Sequence, residues 1–389
     1  MNRNLWLLAV CQGLFLTNNV TFIAINGLVG LSLAPLGWMA TLPIMGYVVG
    51  GALSTGLVAR SQSRFGRKTS FQLGLAVAVA SALLCCYATY SKNFWLLVAA
   101  TVIAGYYNAN AQLYRFAAAE LALPPFREKA ISLVMAGGLL GAVAGPRLAA
   151  GTRSLTEVPF AGAYLALGGV ALLAMALLAF IAFPPPPPQQ SVSGGRPLRE
   201  IMRQPVFIVA AAAGALSFGV MNLLMAATPI AMQVCGLPFS DAALVLEWHV
   251  IGMFAPGFFT GHLIKRFGAL SVMALGLALN ILCVLIALSG VDLQQFLVAL
   301  FLLGLGWNFL FTGSTTLALT AYRPEEKDKA QGALNFCVFA VLALSSLASG
   351  VLVTTQGWTL LNLGALLPLA LTGLALAWLA RQQRASSGT

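Results

Sequence analysis

Residues 59–68, ARSQSRFGRK, connect two apolar segments of the chain, and residues 261–268, GHLIKRFG, connect two more. Both loops contain the turn Arg-Phe-Gly, at residues 64–66 in one loop and 266–268 in the other. Each flanking apolar segment is long enough to cross a membrane. A turn shared by equivalent loops of two halves indicates that one structural unit is used twice. This organisation is typical of transporters built from two homologous helix bundles.

The composition is that of an integral membrane protein. Of 389 residues, 59% are hydrophobic and only 8% are charged, and the mean hydropathy is +0.89. Soluble proteins carry about 25% charged residues, so this composition excludes a soluble enzyme. The net charge of +11 comes from short basic clusters in alternate loops, which argues against nucleic acid as a partner. The lipid bilayer is the expected environment.

The hydrophobic pattern predicts an all-α integral membrane protein with twelve transmembrane helices in two sets of six. Each apolar run has about 20 to 28 residues, which is enough to span the hydrocarbon core. The twelve predicted spans are 5–30, 36–59, 69–90, 94–119, 130–151, 160–183, 205–232, 240–263, 269–289, 294–319, 330–353 and 357–380.

A polar segment separates the two sets of spans. Five consecutive prolines, Pro184 to Pro188, cannot continue a helix, and the Ser/Gly-rich residues after them have little to bury. We therefore predict an amino-terminal six-helix bundle at 1–183 and a cytoplasmic linker at 184–204. A carboxy-terminal bundle with a short cytoplasmic tail follows at 205–389.

The loop charges predict the orientation. With the amino terminus in the cytoplasm, Arg3, Arg266, Arg381 and nearly all other basic loop residues lie on the cytoplasmic side, and only Lys92 and Arg153 lie in outer loops. This is the asymmetry of the positive-inside rule. We expect a multi-pass protein of the cell inner or plasma membrane with both termini cytoplasmic.

The loop at 59–68 resembles the loop signature of the major facilitator superfamily, Gly-x-Leu-x-Asp-Arg-x-Gly-Arg-Arg/Lys. Arg64, Gly66 and Arg67 stand at the matching positions. Ser63 stands where the signature has Asp, so the charge relay attributed to that Asp in relatives does not transfer. The loop still resembles the family's latch between helices on the inner side, with the partner of its basic residues unassigned.

The second-half loop resembles the same signature through Arg266 and Gly268, with Lys265 in place of the Asp. The resemblance covers essentially the whole chain and is to proton-coupled bacterial permeases and antiporters. It implies two pseudo-symmetric six-helix bundles that rock about a site at the middle of the membrane. Orientation alone is an alternative explanation for both basic loops.

The fifth predicted span contains Gly141, Gly145 and Pro146, similar to the Gly-x-x-x-Gly-Pro signature of the family's antiporters. This similarity favours efflux. Small residues also permit close helix packing, and proline bends a helix, so a structural role accounts for the same motif. Proton-coupled uptake of a nutrient or vitamin remains the main alternative, and a lipid flippase is a further one.

Four ionisable residues within the spans are candidates for coupling or gating, because charge in the hydrocarbon region is costly. Arg147 lies near the outer end of the fifth span, and Glu247 and His249 lie near the outer end of the eighth. The resemblance places these spans face to face, so we expect Arg147 to pair with Glu247 or His249 as an outer gate. Glu247 is also a candidate proton site, and Arg115 in the fourth span a candidate cavity or coupling residue. Snorkelling to headgroups is the alternative for both arginines.

Polar and aromatic residues near the middle of several spans predict a substrate cavity. An amide-rich cavity of this kind suits a small organic solute with hydrogen-bonding groups and a ring. Helix-to-helix hydrogen bonding is the alternative role for any one amide. The candidates are Asn18, Asn19, Asn108, Asn110, Gln112, Asn222, Trp307, Asn308 and Asn335.

Other classes of protein fit the sequence less well. An enzyme would need a nucleophile with its base or closely spaced metal ligands, and the two histidines, His249 and His262, fall at opposite ends of one span. No phosphate-binding Gly-x-x-x-x-Gly-Lys-Ser/Thr motif is present, so an ion gradient is the expected energy source. We predict a proton-coupled monomeric transporter with no metal or other cofactor.

Overall fold

The computed structural model describes residues 3–123, 126–183, 195–323 and 326–387. These residues form fourteen α-helices and a short 3₁₀ helix at Gly37–Met39. The α-helices are α1 Arg3–Leu33, α2 Leu42–Tyr90, α3 Phe94–Ala111, α4 Tyr114–Leu121, α5 Arg127–Thr152, α6 Ala161–Ala179, α7 Leu198–Met202, α8 Pro205–Val234, α9 Phe239–Phe254, α10 Gly257–Phe267, α11 Ala269–Ser289, α12 Leu293–Leu319, α13 Lys327–Thr355 and α14 Gly357–Ser387.

The helices reproduce the predicted pattern of spans. Within the described residues, nine helices are long and apolar enough to cross a membrane, and a bent pair, α9 with α10, adds a tenth. One of the nine, residues 37–90, is 54 residues long, and it contains two predicted spans. The predicted fourth span consists of α3 and α4. The all-helical fold with twelve membrane segments is thus confirmed.

Two glycines form the turns between paired spans. Gly66 interrupts α2 with φ 79° and ψ 170°, and Gly268 separates α10 from α11 with φ 82° and ψ 155°. Residues with a side chain are strained at such positive φ values. The two Arg-Phe-Gly turns therefore share a backbone conformation as well as a sequence.

The Gly-Pro motif of the fifth span lies against α1. A Cβ atom on Gly141 would lie 2.6 Å from the backbone nitrogen of Thr17, and one on Gly145 would lie 3.0 Å from Val20 Cβ. Thr21 Oγ1 also donates to the Gly145 carbonyl oxygen at 2.8 Å. Gly141 and Gly145 thus allow close helix contact, which supports the structural alternative for this motif; Pro146 follows them inside α5.

The first described residues after the proline-rich segment pack on the carboxy-terminal half. Ile201 in α7 is fully buried and lies in a cluster with Phe207, Ala321 and Ala330. The prolines Pro184 to Pro188 lie outside the described residues. The predicted linker thus includes a stretch, 195–204, that contacts α8 and the loop after α12.

The two halves meet at one end of the molecule. A single apolar cluster there combines residues of both halves, including Phe22, Tyr164, Leu224 and Val250. At the other end the clusters are separate: one is formed by residues 5–181, with Phe254 packed against it, and two by residues 201–379. We call the joined end the closed end and the other, where both basic turns lie, the basic end.

Candidate functional site

An ion pair joins α5 to α9 across the closed end. Arg147 Nε and Nη2 each donate to a carboxylate oxygen of Glu247, both at 3.1 Å. The Glu247 side chain is only 10% exposed, whereas that of Arg147 is 71% exposed. The structure therefore brings together the two residues that were expected to pair, with a buried acid and an accessible base.

His249 lies on the same helix but outside this pair. It is fully buried, and its Nδ1 lies 2.6 Å from the carbonyl oxygen of Leu300 in α12. Its Nε2 is buried without a hydrogen-bond partner among the described residues. The alternative pairing of Arg147 with His249 is wrong for this conformation, since the His249 ring points towards α12.

Two further contacts at the closed end were missed from the sequence. The guanidinium carbon of Arg153 lies 5.3 Å from the Phe160 ring centre and 5.6 Å from that of Phe239, in the other half. Thr41 Oγ1 donates to the Ser346 carbonyl oxygen at 2.5 Å. Among the described residues, every hydrogen bond and ion pair recorded between the halves lies at this end.

Three of the predicted cavity amides hold helices together instead. Asn110 donates to the Ser70 carbonyl oxygen at 2.9 Å. Asn222 donates to hydroxyl groups of α13, at 2.9 Å to Ser345 and 2.8 Å to Ser346. The third, Asn308, donates to a backbone carbonyl of α9 at 2.7 Å and accepts a hydrogen bond from the Thr260 hydroxyl at 2.6 Å. For these residues the structure favours the interhelical alternative, because their amides are already bonded.

Other polar candidates lie on α1 and α3. Asn18 lines a small internal cavity of about 20 Å³, with room for one water molecule, together with Tyr47 and Tyr107. Asn19 donates to the Tyr47 hydroxyl at 3.0 Å. The side-chain amide of Gln112 donates to the side-chain oxygen of Asn108 at 3.5 Å. These two helices therefore present a group of polar side chains inside the amino-terminal half.

The remaining candidates differ in exposure. Gln112 and Asn335 are both exposed, and Gln112 reaches only Asn108. Arg115 is partly buried, with its guanidinium carbon 5.0 Å from the centre of the Phe116 ring. Its Nε is buried and has no hydrogen-bond partner among the described residues. No described acid neutralises Arg115 through an ion pair.

Trp307 belongs to an aromatic cluster formed by α8, α9 and α12. Its ring stacks on Phe311 with the centres 5.2 Å apart and an interplanar angle of 9°. Phe218 and Phe254 meet the Trp307 ring edge-on at 5.1 and 6.3 Å. Trp307 Nε1 is buried without an acceptor, although buried indole N–H groups usually have one. We call Phe218, Phe254, Trp307 and Phe311 the aromatic cluster.

The loop between the two segments of α2 has an acidic partner at the end of α4. Arg67 Nε and Nη2 donate to the two carboxylate oxygens of Glu120 at 3.0 and 2.6 Å, and its Nη1 donates to Gln62. Gln62 in turn donates to Asn110 at 3.4 Å. Glu120 is thus the acidic partner of this basic loop, and the sequence does not reveal it because Glu120 lies 53 residues from Arg67 along the chain.

The second half has an acid in the corresponding region, but a different base binds it. Glu326, fully buried, accepts hydrogen bonds from Arg196 Nε and Nη2 at 2.9 and 2.7 Å and from the backbone of Arg323 at 2.9 Å. These donors hold the pKa of Glu326 well below its usual range. Arg266 instead lies over the neighbouring Phe267 ring at 5.2 Å. The two basic turns share a backbone conformation but not a charge network.

Known proteins resemble the chain over nearly its full length. It matches the family model of the Major Facilitator Superfamily at residues 5–257 and 214–389. It is 39% identical to a riboflavin transporter of Brucella anthropi, over 92% of this chain and 91% of the relative. An uncharacterized MFS-type transporter of Bacillus subtilis is 27% identical over 89% of this chain and 84% of its own length.

Solved structures show the same fold at low sequence identity. The POT family transporter PepTSo superimposes with a TM-score of 0.75 at 11% identity, over 98% of this chain and 99% of that one. A bacterial homologue of the human lysosomal transporter Spinster, in an inward-facing and occupied conformation, gives 0.72 at 14% identity, over 95% and 96%. The chain therefore belongs to the major facilitator superfamily, and it is a multi-pass membrane transporter rather than an enzyme.

Proposed function

We propose that the chain transports riboflavin or a closely related flavin. The similarity to a riboflavin transporter over nine-tenths of both chains carries this proposal. It agrees with the sequence-based expectation of a small organic solute that has hydrogen-bonding groups and a ring.

The aromatic cluster is the candidate surface for the flavin ring. A planar tricyclic ring stacks favourably on aromatic side chains, and Trp307 with Phe311 already forms such a stack. The Trp307 Nε1 donor, which has no acceptor among the described residues, suits a carbonyl oxygen or ring nitrogen of a flavin. The hydroxylated chain of riboflavin requires polar partners, for which the exposed Gln112 amide and the partly buried Arg115 are candidates.

Alternating access requires the two halves to separate at the closed end. Residues 1–183 would rock against residues 205–380, breaking the Arg147–Glu247 pair and the Thr41–Ser346 hydrogen bond. Protonation of Glu247 removes the charge that holds Arg147, and therefore favours opening of this end. We propose that a proton taken up by Glu247 couples the proton gradient to this movement.

The direction of transport has two candidates. We favour proton-coupled uptake, because the relative's solute is a vitamin that cells require. Efflux is the second candidate, because Gly141, Gly145 and Pro146 resemble the antiporter signature. In either case we place the protein in the inner membrane. Its basic end then faces the cytoplasm, in accordance with the positive-inside rule.

Riboflavin transport by the purified chain in proteoliposomes tests the proposal. We expect saturable riboflavin uptake that a pH gradient drives, and quenching of riboflavin fluorescence on binding. Trp307→Ala should weaken binding about 5- to 150-fold, because stacking of a ring on an aromatic side chain contributes about 1–3 kcal/mol. Trp248→Ala is the matched control, since Trp248 is exposed and lies outside the aromatic cluster. Absence of riboflavin binding to the folded wild-type chain would refute the proposal.

A further inference from the structure

A lipid-facing groove runs along the flank of the amino-terminal half, between α2 and α3. Its volume is about 570 Å³, and its walls are almost entirely apolar. Leu53, Leu57, Leu73 and Ile103 line it and are all exposed, and an exposed apolar surface of this kind suits contact with the hydrocarbon of the bilayer. The groove ends at the basic end of the molecule, beside the Gly66 turn.

Two arginines stand at the basic end of this groove. Arg60 and Arg64 line it one helical turn apart on α2, and both are exposed. Neither has an acidic partner among the described residues, whereas Arg67 in the same loop is bound by Glu120. The guanidinium carbon of Arg64 lies 5.3 Å from the centre of the Phe65 ring. Two positive charges without an acidic partner thus lie where the apolar groove reaches the membrane surface.

Ser61 adds an independent sign that a ligand binds here. It lines the groove between the two arginines and is only 8% exposed. Its hydroxyl group is buried without a hydrogen-bond partner in the described part of the chain. Most buried polar side chains have such a partner, so this hydroxyl is available to donate to an oxygen atom of a ligand in the groove.

We infer that this groove binds an anionic phospholipid of the bilayer. The lipid phosphate lies between Arg60 and Arg64 and accepts the Ser61 hydroxyl, while one acyl chain follows the groove along Leu57 and Leu53. The acyl chain gains little, because bilayer lipid is equally apolar. Selectivity therefore comes from the headgroup, and the site prefers phosphatidylglycerol to the zwitterionic phosphatidylcholine.

Native mass spectrometry of the delipidated full chain, titrated with either lipid, tests this site. We expect the affinity of R60Q/R64Q for phosphatidylglycerol to fall roughly 30-fold, because each arginine near an anionic membrane surface contributes about 1 kcal/mol. The preference for phosphatidylglycerol over phosphatidylcholine should disappear. S61A should weaken both lipids, and L57W should block the groove without a change in charge. R266Q is the matched control, since Arg266 occupies the same Arg-Phe-Gly turn in the other half and does not line the groove.

Each outcome decides the matter. Unchanged phosphatidylglycerol binding by R60Q/R64Q would overturn the site. An equal loss of affinity in R266Q would assign the binding to general surface charge instead. Competition by inorganic phosphate as strong as that by the lipid would assign the arginines to a soluble anion and overturn the lipid. If R60Q/R64Q fails to fold, S61A and L57W decide: wild-type lipid binding by both refutes the inference. Riboflavin transport plays no part in these measurements.

Discussion

Substitution of Gly350 by alanine should open the closed end. A Cβ atom there would lie 2.2 Å from Thr41 Oγ1 and 3.1 Å from Thr41 N, in the opposite half. Ordinary contacts are about 3.4–4 Å, so Thr41 must move by roughly 1 Å. That movement breaks its hydrogen bond to Ser346, at about 1 kcal/mol, and adds about 1–3 kcal/mol of overpacking. The clash exists only while the halves touch. The conformation in which they touch is therefore destabilised by at least about 2 kcal/mol relative to the one in which they are apart, and its population relative to that one falls roughly 30-fold.

Distance measurements between spin labels at the basic end can detect this shift. Labels at Ser63 and His262, both exposed, should move closer in Gly350→Ala as the basic end closes. Gly332→Ala is the control, because Gly332 lies on the same helix and a Cβ there meets nothing within 4 Å. An unaltered distance distribution in Gly350→Ala, or an equal change in the control, would show that this contact does not hold the closed end.

Two charged pairs give further predictions. Glu247→Gln should abolish accumulation driven by a pH gradient while riboflavin exchange between equal concentrations continues; undiminished pH-driven accumulation would remove Glu247 from the coupling. For Glu326, the depressed pKa means that its stabilising contribution is fully present above the usual carboxyl pKa and is lost progressively as the pH falls from that value through the depressed one. Arg196→Gln removes the main cause of the depression, so its Tm should lie below that of the wild type at neutral pH and should fall less than the wild-type Tm as the pH drops below the usual carboxyl pKa. Coincident profiles of Tm against pH would contradict this account.

The spans and the paired turns could be predicted because the bilayer limits what a sequence can do. Apolar runs of membrane length can only form helices in lipid, and a glycine in a short basic loop allows the positive φ seen at Gly66 and Gly268. The helix ends were less predictable. The break between α3 and α4 lies inside a run that contains no proline or glycine at that point, whereas the 42° bend between α9 and α10 coincides with Pro256 and Gly257, which the sequence prediction treated as part of one span.

The roles of the polar residues could not be predicted, because they depend on partners far away in the chain. Asn222 is bonded to Ser346, and Asn308 to Thr260, whereas sequence shows only that each is an amide within a span. A helix that is apolar on every side gives no amphipathic pattern to indicate which face an amide occupies. The Arg147–Glu247 pair was accessible to prediction because charges within spans are rare and each needs a partner.

The buried contact between Arg196 and Glu326 bears on where the chain can be divided. A fragment that begins at Pro205 would lack Arg196, and would leave the carboxylate of Glu326 buried with only backbone donors. A fragment that begins at Gly195 keeps the pair and the packing of Ile201. Co-expression of two separate halves should therefore reconstitute a transporter only when the second half includes residues 195–204 at its amino-terminal end.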